Sequence, residues 1–500
     1  MTTVRTEVAG VAAVHEETDD GPCSGGLVFR VGWADETLAL RGLTHLVTHL
    51  ALSDLPAGEV HRHVDTFANH TVLRADGSFA EVAEFVGRVC AALKAPPTHA
   101  IDGAKAVLAA ETVAAGPVGG RTQGLRYGAR GYGLSAYPEI GLPEIDAPLV
   151  EMWAAETFTR DNAVVWFRGP GAPETIPLPL PEGRRQPLPP VPPALERFPA
   201  FVVTADTGTV LVTGTVPRSP AAALFAEVLD AALDAALCRR TDYCVRAGAT
   251  YDVRDAETAT VVVRAHSRPD RHAETVGELV DVLARLGHGS LEAGELDGAR
   301  AALAGRRDDV ESVIAVARDL LLAPGTAGPP EDDPAALAAV TREDVHALAD
   351  AFERTALAEL PDVGLGWLGW HEAAPRPVGL QGTGPAEGVL ELDEGGATLV
   401  RGDVSSSVRF DEVAVMIAYA DGGRWLVGED GSEVHVEPVA HRLEPDAVEA
   451  VDRAVDVARV VHRPARDIED IPAPTELPAP STEPHEGIAG RLLGRLRTRR

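Results

Sequence analysis

The sequence predicts an α+β protein made of two related α/β sandwich halves, each an antiparallel sheet with helices. A proline-rich linker joins them, and a small β-rich domain with a C-terminal helix follows. Three observations carry this reading. Alternating and helically spaced apolar positions are mixed without strict βα alternation. The same order of elements returns after residue 200 over a segment of similar length. Proline-rich breaks fall at 169–199, near Pro375 and at 471–484. The predicted division is residues 1–168, a linker at 169–199, residues 200–370, a β-rich domain at 376–465, and a disordered proline-rich linker with a basic tail at 466–500.

In the first half, residues 8–14 and 26–33 read as strands, 42–52 as a helix and 64–74 as a strand. Residues 79–93, 100–115 and 149–158 carry helical spacing, and 162–168 closes the half as a strand. Residues 169–199 contain eleven prolines and read as an extended, semi-rigid linker. The second half repeats the order: strand 201–216, alanine-rich helix 221–237, strands 243–253 and 258–265 around the turn Arg254-Asp255-Ala256-Glu257, then helices over 272–354. Six strand-like runs lie between 388 and 436, with Asp430-Gly431 as a hairpin turn, and a helix is expected over 445–461. The phrase R-W-L-V-G-E-D-G-S-E-V-H-V-E-P in this region resembles the pleckstrin-homology-like fold, a strand meander closed by one helix.

The chain has 500 residues, 45% of them apolar and 24% charged, which is enough to bury large cores. Its formal net charge of −31 argues against nucleic acid as a partner, since phosphate contacts need a basic face. It argues equally against adsorption of the whole chain to anionic lipid. Membrane contact is expected only through the tail, where Ile488, Leu492, Leu493 and Leu496 could line one side of a short helix carrying five arginines. No run approaches the ~20 apolar residues of a membrane span. The opening Met-Thr-Thr-Val-Arg-Thr-Glu-Val does not have the layout of a signal peptide, and Cys23, Cys90, Cys238 and Cys244 form no C-x-x-C pair. A cytoplasmic protein with reduced thiols is expected.

The most informative segment is G-L-T-H-L-V-T-H-L-A, residues 42–51. On a helix His45 and His49 stand one turn apart, with Cβ atoms ~5–6 Å from each other, so both imidazoles can reach one zinc ion. His61, His63 and Asp65 form a weaker second group, for which a solvated strand edge is the plainer reading. A strand, G-W-A-D-E, the His45–His49 helix and a strand ending N-H-T-V-L-R together resemble the pitrilysin/insulinase superfamily of inverted zincins, which includes the mitochondrial processing peptidase. The segments L-E-A-G-E-L-D-G-A-R and A-V-T-R-E-D-V-H-A-L-A resemble late helices of that family, so the likeness spans residues 5 to 365.

The family signature is H-x-x-E-H, with two zinc-binding histidines and a glutamate as general base. The resemblance implies zinc as the metal and Glu111, in A-V-L-A-A-E-T-V, as third ligand; a further family carboxylate is replaced by Ala104. It also implies Tyr243, with Arg239 or Arg240, as contacts to a peptide substrate, although this segment is shortened and lacks the family's glycine.

The departure that matters is Thr48, which stands where the base should be. A hydroxyl is a poor proton acceptor at neutral pH and in a helix tends to bond the carbonyl four residues earlier. Losing a positioned base costs about 10²–10⁴-fold in rate. The resulting expectation is a catalytically impaired homologue. It would be the non-hydrolytic, peptide-binding subunit of a zinc peptidase, paired with a homologous chain that keeps the intact motif or with a second copy of itself. Two alternatives stay open: an active zinc metalloendopeptidase with a substitute base, and a non-enzymatic interaction scaffold.

Overall fold

A computed structural model describes residues 3–19, 21–55, 61–115, 120–170, 176–204, 208–305, 310–324, 329–361, 363–373, 388–402 and 404–473. The protein is α+β. Its first sheet contains β1 (Thr3–Val8), β2 (Val11–Glu17), β3 (Cys23–Phe29), β4 (His61–Thr66), β5 (Thr71–Gly77) and β6 (Ala163–Gly169), in the order β1-β2-β6-β3-β5-β4. All neighbours are antiparallel except β2 and β6. The helices of this half are α1 (Leu43–Ser53), α2 (Phe79–Lys94), α3 (Ile101–Ala115), α4 (Arg121–Tyr127) and α5 (Ala147–Thr157).

The second half has β7 (Ala200–Thr204), β8 (Thr209–Pro217), α6 (Pro220–Leu233), β9 (Cys244–Val253) and β10 (Thr258–Ser267). Then come α7 (His272–Gly287), α8 (Glu295–Gly305), α9 (Val310–Leu322), α10 (Pro334–Ala339), α11 (Arg342–Arg354), β11 (Leu357–Pro361) and β12 (His371–Glu372). Its sheet runs β12-β7-β11-β8-β10-β9. Stripped of β1 and β12, the two sheets have one connectivity, with α1 following β3 as α6 follows β8. The repeat suggested by element order is therefore a repeat of topology.

Alternation along the strands gives each sheet two apolar faces. In the first sheet Leu27, Phe29, Leu73, Ala75, Val165 and Phe167 pack with α1 and α2. Their neighbours Val14, Val28, Val72, Val164 and Trp166 point the other way, where they meet Val313, Ile314, Ala317 and Leu321 of α9 from the second half. The loan is returned. Leu125 of α4 packs on Ala200, Val202 and Leu357 of the second sheet, and Arg126 donates from Nη2 to the carbonyls of Thr213 at 2.8 Å and Thr355 at 2.7 Å. Each half completes the other's core.

The C-terminal region forms two small sheets. The first holds β13 (Val389–Leu392), β14 (Gly396–Arg401) and β15 (Val404–Arg409), in order β13-β14-β15. The second holds β16 (Val413–Tyr419), β17 (Arg424–Gly428), β18 (Glu433–Val436) and β19 (Val460–Arg463), in order β18-β17-β16-β19. Between β18 and β19 lie α12 (Pro438–His441) and α13 (Pro445–Ala454). This module docks on the first half: Ala414, Val415, Ile417, Trp425, Val427 and Val461 share a core with Leu38, Ala39, Leu134, Tyr137 and Ile140.

Several expectations are corrected. The strand expected over 8–14 is the hairpin of β1 and β2, reversing at Ala9 (φ 49°) and Gly10 (φ 79°). The strand expected over 64–74 is also a hairpin, β4 to β5, in which Phe67 N donates to His70 O at 2.9 Å. The strand 201–216 divides into β7 and β8, and the 221–237 helix loosens after Leu233 into a π-helical turn, Asp234–Arg239. The helix 445–461 stops at Ala454, and the chain returns as β19, parallel to β16, so a strand and not a helix completes that sheet. The stretch 176–199 lacks helix and strand but is more than a spacer, because Ile176, Leu178 and Leu180 are buried in the first half's core. The basic tail lies outside the described residues.

Candidate metal centre

Helix α1 is positioned by a buried carboxylate. Its N-cap is Gly42, in the left-handed region at φ 103°, which has no side chain to cap the helix. Glu36 caps it instead, accepting from Gly42 N at 2.9 Å and Thr44 N at 2.7 Å. Burial pushes the Glu36 carboxyl upward, against the pull of Arg41 and these two amides. A Cβ at Gly42 would lie 2.9 Å from Glu139 Cβ, so glycine is required by approach as well as by φ.

The exposed edge of α1 carries His45 and His49, with ring centroids 4.7 Å apart. Glu111 reaches them from α3: its Oε2 lies 3.7 Å from His45 Nε2 and 3.6 Å from His49 Nε2. Among the described residues these three form the one group of metal-ligand type whose donor atoms converge, all within 4.8 Å. The gaps are too long for hydrogen bonds. They are close to the edge of a zinc tetrahedron, about 3.3–3.4 Å for bonds of ~2.0–2.1 Å.

His45 is also held from behind. Its Nδ1 donates to Glu139 Oε1 at 2.9 Å, which leaves Nε2 facing Glu111. Arg41 ties this carboxylate to the cap, lying 3.6 Å from Glu139 and 3.4 Å from Glu36. Burial acts to raise the Glu139 carboxyl, but the bond to His45 and the charges of His45, Arg41 and His49 outweigh it and hold the group low. Burial, reinforced by His45, lowers His49 toward the neutral imidazole, against Glu111 and Glu139. The donor set and its orientation fit zinc.

Thr48 is fully buried and donates its hydroxyl to the carbonyl of His45 at 2.7 Å. The bond runs three residues back, not four as expected, and its effect is the same: the hydroxyl is spent inside the helix. Ala104, where the resemblance would place a further carboxylate, is packed in the core. Glu139 takes up the orienting task from another loop, 94 residues from His45. No spacing in the sequence marks it, because the contact exists only in the folded chain.

The other candidates lie elsewhere. His61, His63 and Asp65 occupy the exposed positions of β4, and no metal group of described residues includes them. Arg239 pairs with Asp234 at 2.8 Å, Arg240 is exposed, and Tyr243 is half-buried with Arg271 5.9 Å above its ring. All three precede β9, at the opposite end of that strand from the residues that meet the first half. Those residues were read only as a turn. Arg254 O accepts from Asn69 Nδ2 at 2.7 Å and from the Tyr132 hydroxyl at 3.3 Å. The Arg254 guanidinium donates to the Tyr127 hydroxyl and sits 3.6 Å from the Tyr132 ring centroid. Around this seam lies a cavity of about 580 Å³, bordered by Trp33, Asn69, Tyr132, Asp252, Arg264 and Arg318 among others.

Comparison with solved structures gives the fold. A protease from Helicobacter pylori is 15% identical, with TM-score 0.60 over 72% of this chain and 100% of that one. An inactive domain of peptidase M16 from Pseudomonas fluorescens is 13% identical, with TM-score 0.57 over 76% of this chain and 100% of that one. A chain of Complex III2 from Candida albicans is 15% identical, with TM-score 0.59 over 71% and 94%. No family model and no curated protein matches the sequence. The fold is that of the solved M16 peptidase structures, with two related halves in one chain.

Proposed function

We propose that this chain is a zinc-binding, catalytically impaired M16 homologue that serves as the non-hydrolytic subunit of a heteromeric peptidase. The observation that carries the proposal is Thr48, a buried hydroxyl bonded to His45 O at the position of the family's general base. Zinc held by His45, His49 and Glu111 would supply a Lewis acid. The chain's own residues would orient it, through Glu139 on His45, without providing a proton acceptor.

Among the solved neighbours is an inactive M16 domain, and another is described as the first half of a periplasmic protease of Escherichia coli. Both support pairing with a second peptidase unit. Arg239, Arg240 and Tyr243, outward at the start of β9, would contact peptide held by such a partner. Its four cysteines are free, and Cys23, Cys90 and Cys244 are buried, which supports a reducing, cytoplasmic setting. No helix of the described residues is long and apolar enough to cross a membrane.

The test starts with the purified, zinc-loaded chain, which is expected to leave a peptide library uncut. Affinity capture from the native source followed by sequencing should recover a chain with an intact H-x-x-E-H. The reconstituted pair should then cleave, and removing the partner's glutamate should abolish all cleavage. Chelator-sensitive cleavage by the lone chain would overturn the proposal.

A further inference from the structure

The cavity at the seam of the two halves has no part in the reading above. Its walls come from both sheets and from α9, which turns Val313, Ala317 and Leu321 toward the first sheet and Glu311, Ala315 and Arg318 toward the cavity. On a chain of net charge −31 this lining holds four arginines, Arg74, Arg254, Arg264 and Arg318.

Two of the four are committed. Arg254 is taken by Tyr127 and Tyr132, and Arg74 donates to Glu311 at 3.1 Å. Arg318 and Arg264 make no hydrogen bond among the described residues, and Arg318 Nε is buried without a partner. Glu331, Asp319 and Asp332 attract Arg318 without a hydrogen bond to it, and Arg218 bridges the first two, Glu331 at 2.9 Å. Asp252, two residues before Arg254, feels both Arg318 and Arg264, and enclosure raises its carboxyl against them. The Thr122 hydroxyl also borders this space, buried and unpartnered. His70, stacked on Phe67 at 4.5 Å and held neutral by burial and by Arg318, adds no charge. A desolvated guanidinium with no hydrogen-bonded acceptor, as at Arg318, is costly, and a planar fork of N–H donors suits an oxyanion.

We propose that this cavity binds the oxyanion head of a small molecule, a phosphate or a carboxylate, between Arg318 of α9 and Arg264 of β10. The ligand would contact both halves at once. Its volume falls in the ~300–1,000 Å³ range of small-molecule sites, so a head group bearing a further organic part can enter.

Isothermal titration of the full chain at low ionic strength, with inorganic phosphate in one arm and acetate in the other, tests this. Saturable binding is expected in at least one arm, and the arm that binds identifies the head group. Arg318→Gln and Arg264→Gln should each weaken it by about tenfold or more, while Arg88→Gln, on the exposed face of α2, should not change it. Arg264 is exposed, so R264Q keeps the test decisive should the more enclosed R318Q fail to fold. Absence of saturable binding in both arms, or binding that R264Q leaves unchanged, overturns the proposal.

Discussion

At the residue scale, the candidate metal centre separates into what helical spacing announces and what only tertiary contact supplies. His45 and His49 were legible because a four-residue interval on a helix has one geometric meaning, and Glu111 because the family resemblance carried it. Glu139, Arg41 and Glu36 were not legible, since nothing local in Y-P-E-I-G or W-A-D-E links those side chains to His45. Replacing Glu139 by Gln keeps the shape but removes the charge that orients and polarises the imidazole. Zinc affinity should fall by about 10–100-fold, read by competition with a chelator of known strength. His45→Ala or His49→Ala should abolish stoichiometric zinc in metal analysis while leaving the circular dichroism unchanged, because both side chains sit at the solvent edge of α1.

At the scale of elements, helix starts and strand ends decide how firmly the centre is held. The N-terminus of α1 depends on a left-handed Gly42 pressed against Glu139. Gly42→Ala should cost about 1–3 kcal/mol in denaturant unfolding and loosen metal binding with it, since relief must move Glu139 together with Leu142. Hairpins were the weak point of the sequence reading: Ala9-Gly10 and Phe67–His70 are short reversals between a polar, exposed arm and a buried apolar one, within stretches read as single strands.

The C-terminal module braces the same loop. Arg463 donates to Ile140 O at 2.6 Å, next to Glu139, and Ala129 N donates to Glu429 O at 3.0 Å. Within that module burial raises the Glu433 carboxyl to about 7, against the bond it accepts from Trp425 Nε1 at 3.0 Å. Because its folded pKa exceeds the unfolded value near 4.5, Glu433 costs stability as pH rises from about 4.5 through 7. Burial lowers His435 to about 4, with Arg401, Arg466 and His441 adding to the effect, so His435 costs stability as pH falls from about 6.5 to 4. The two trends oppose each other between them. Glu433→Gln should therefore gain about 1–3 kcal/mol at pH 8 and nothing at pH 4, measured as the difference in urea midpoints.

For the whole molecule, the duplicated plan was visible in the order of elements, but the exchange of α4 and α9 was not. No helix was read over α4, and α9 was read only as part of the helical stretch 272–354, with nothing in the sequence to say which sheet it covers. Val313 is fully buried between the halves. Val313→Asp should lower stability by more than about 3 kcal/mol, and a fluorescence probe in the first half should report the loss although the change lies in the second.

The exchange also sets a timetable for biosynthesis. Val28, Val72 and Trp166 leave the ribosome well before α9 exists to hide them, so the nascent first half must wait with a greasy sheet face open to whatever else is in the tunnel's vicinity. A chain wired in this way invites a holding chaperone during translation, and expressing its first half alone should yield inclusion bodies.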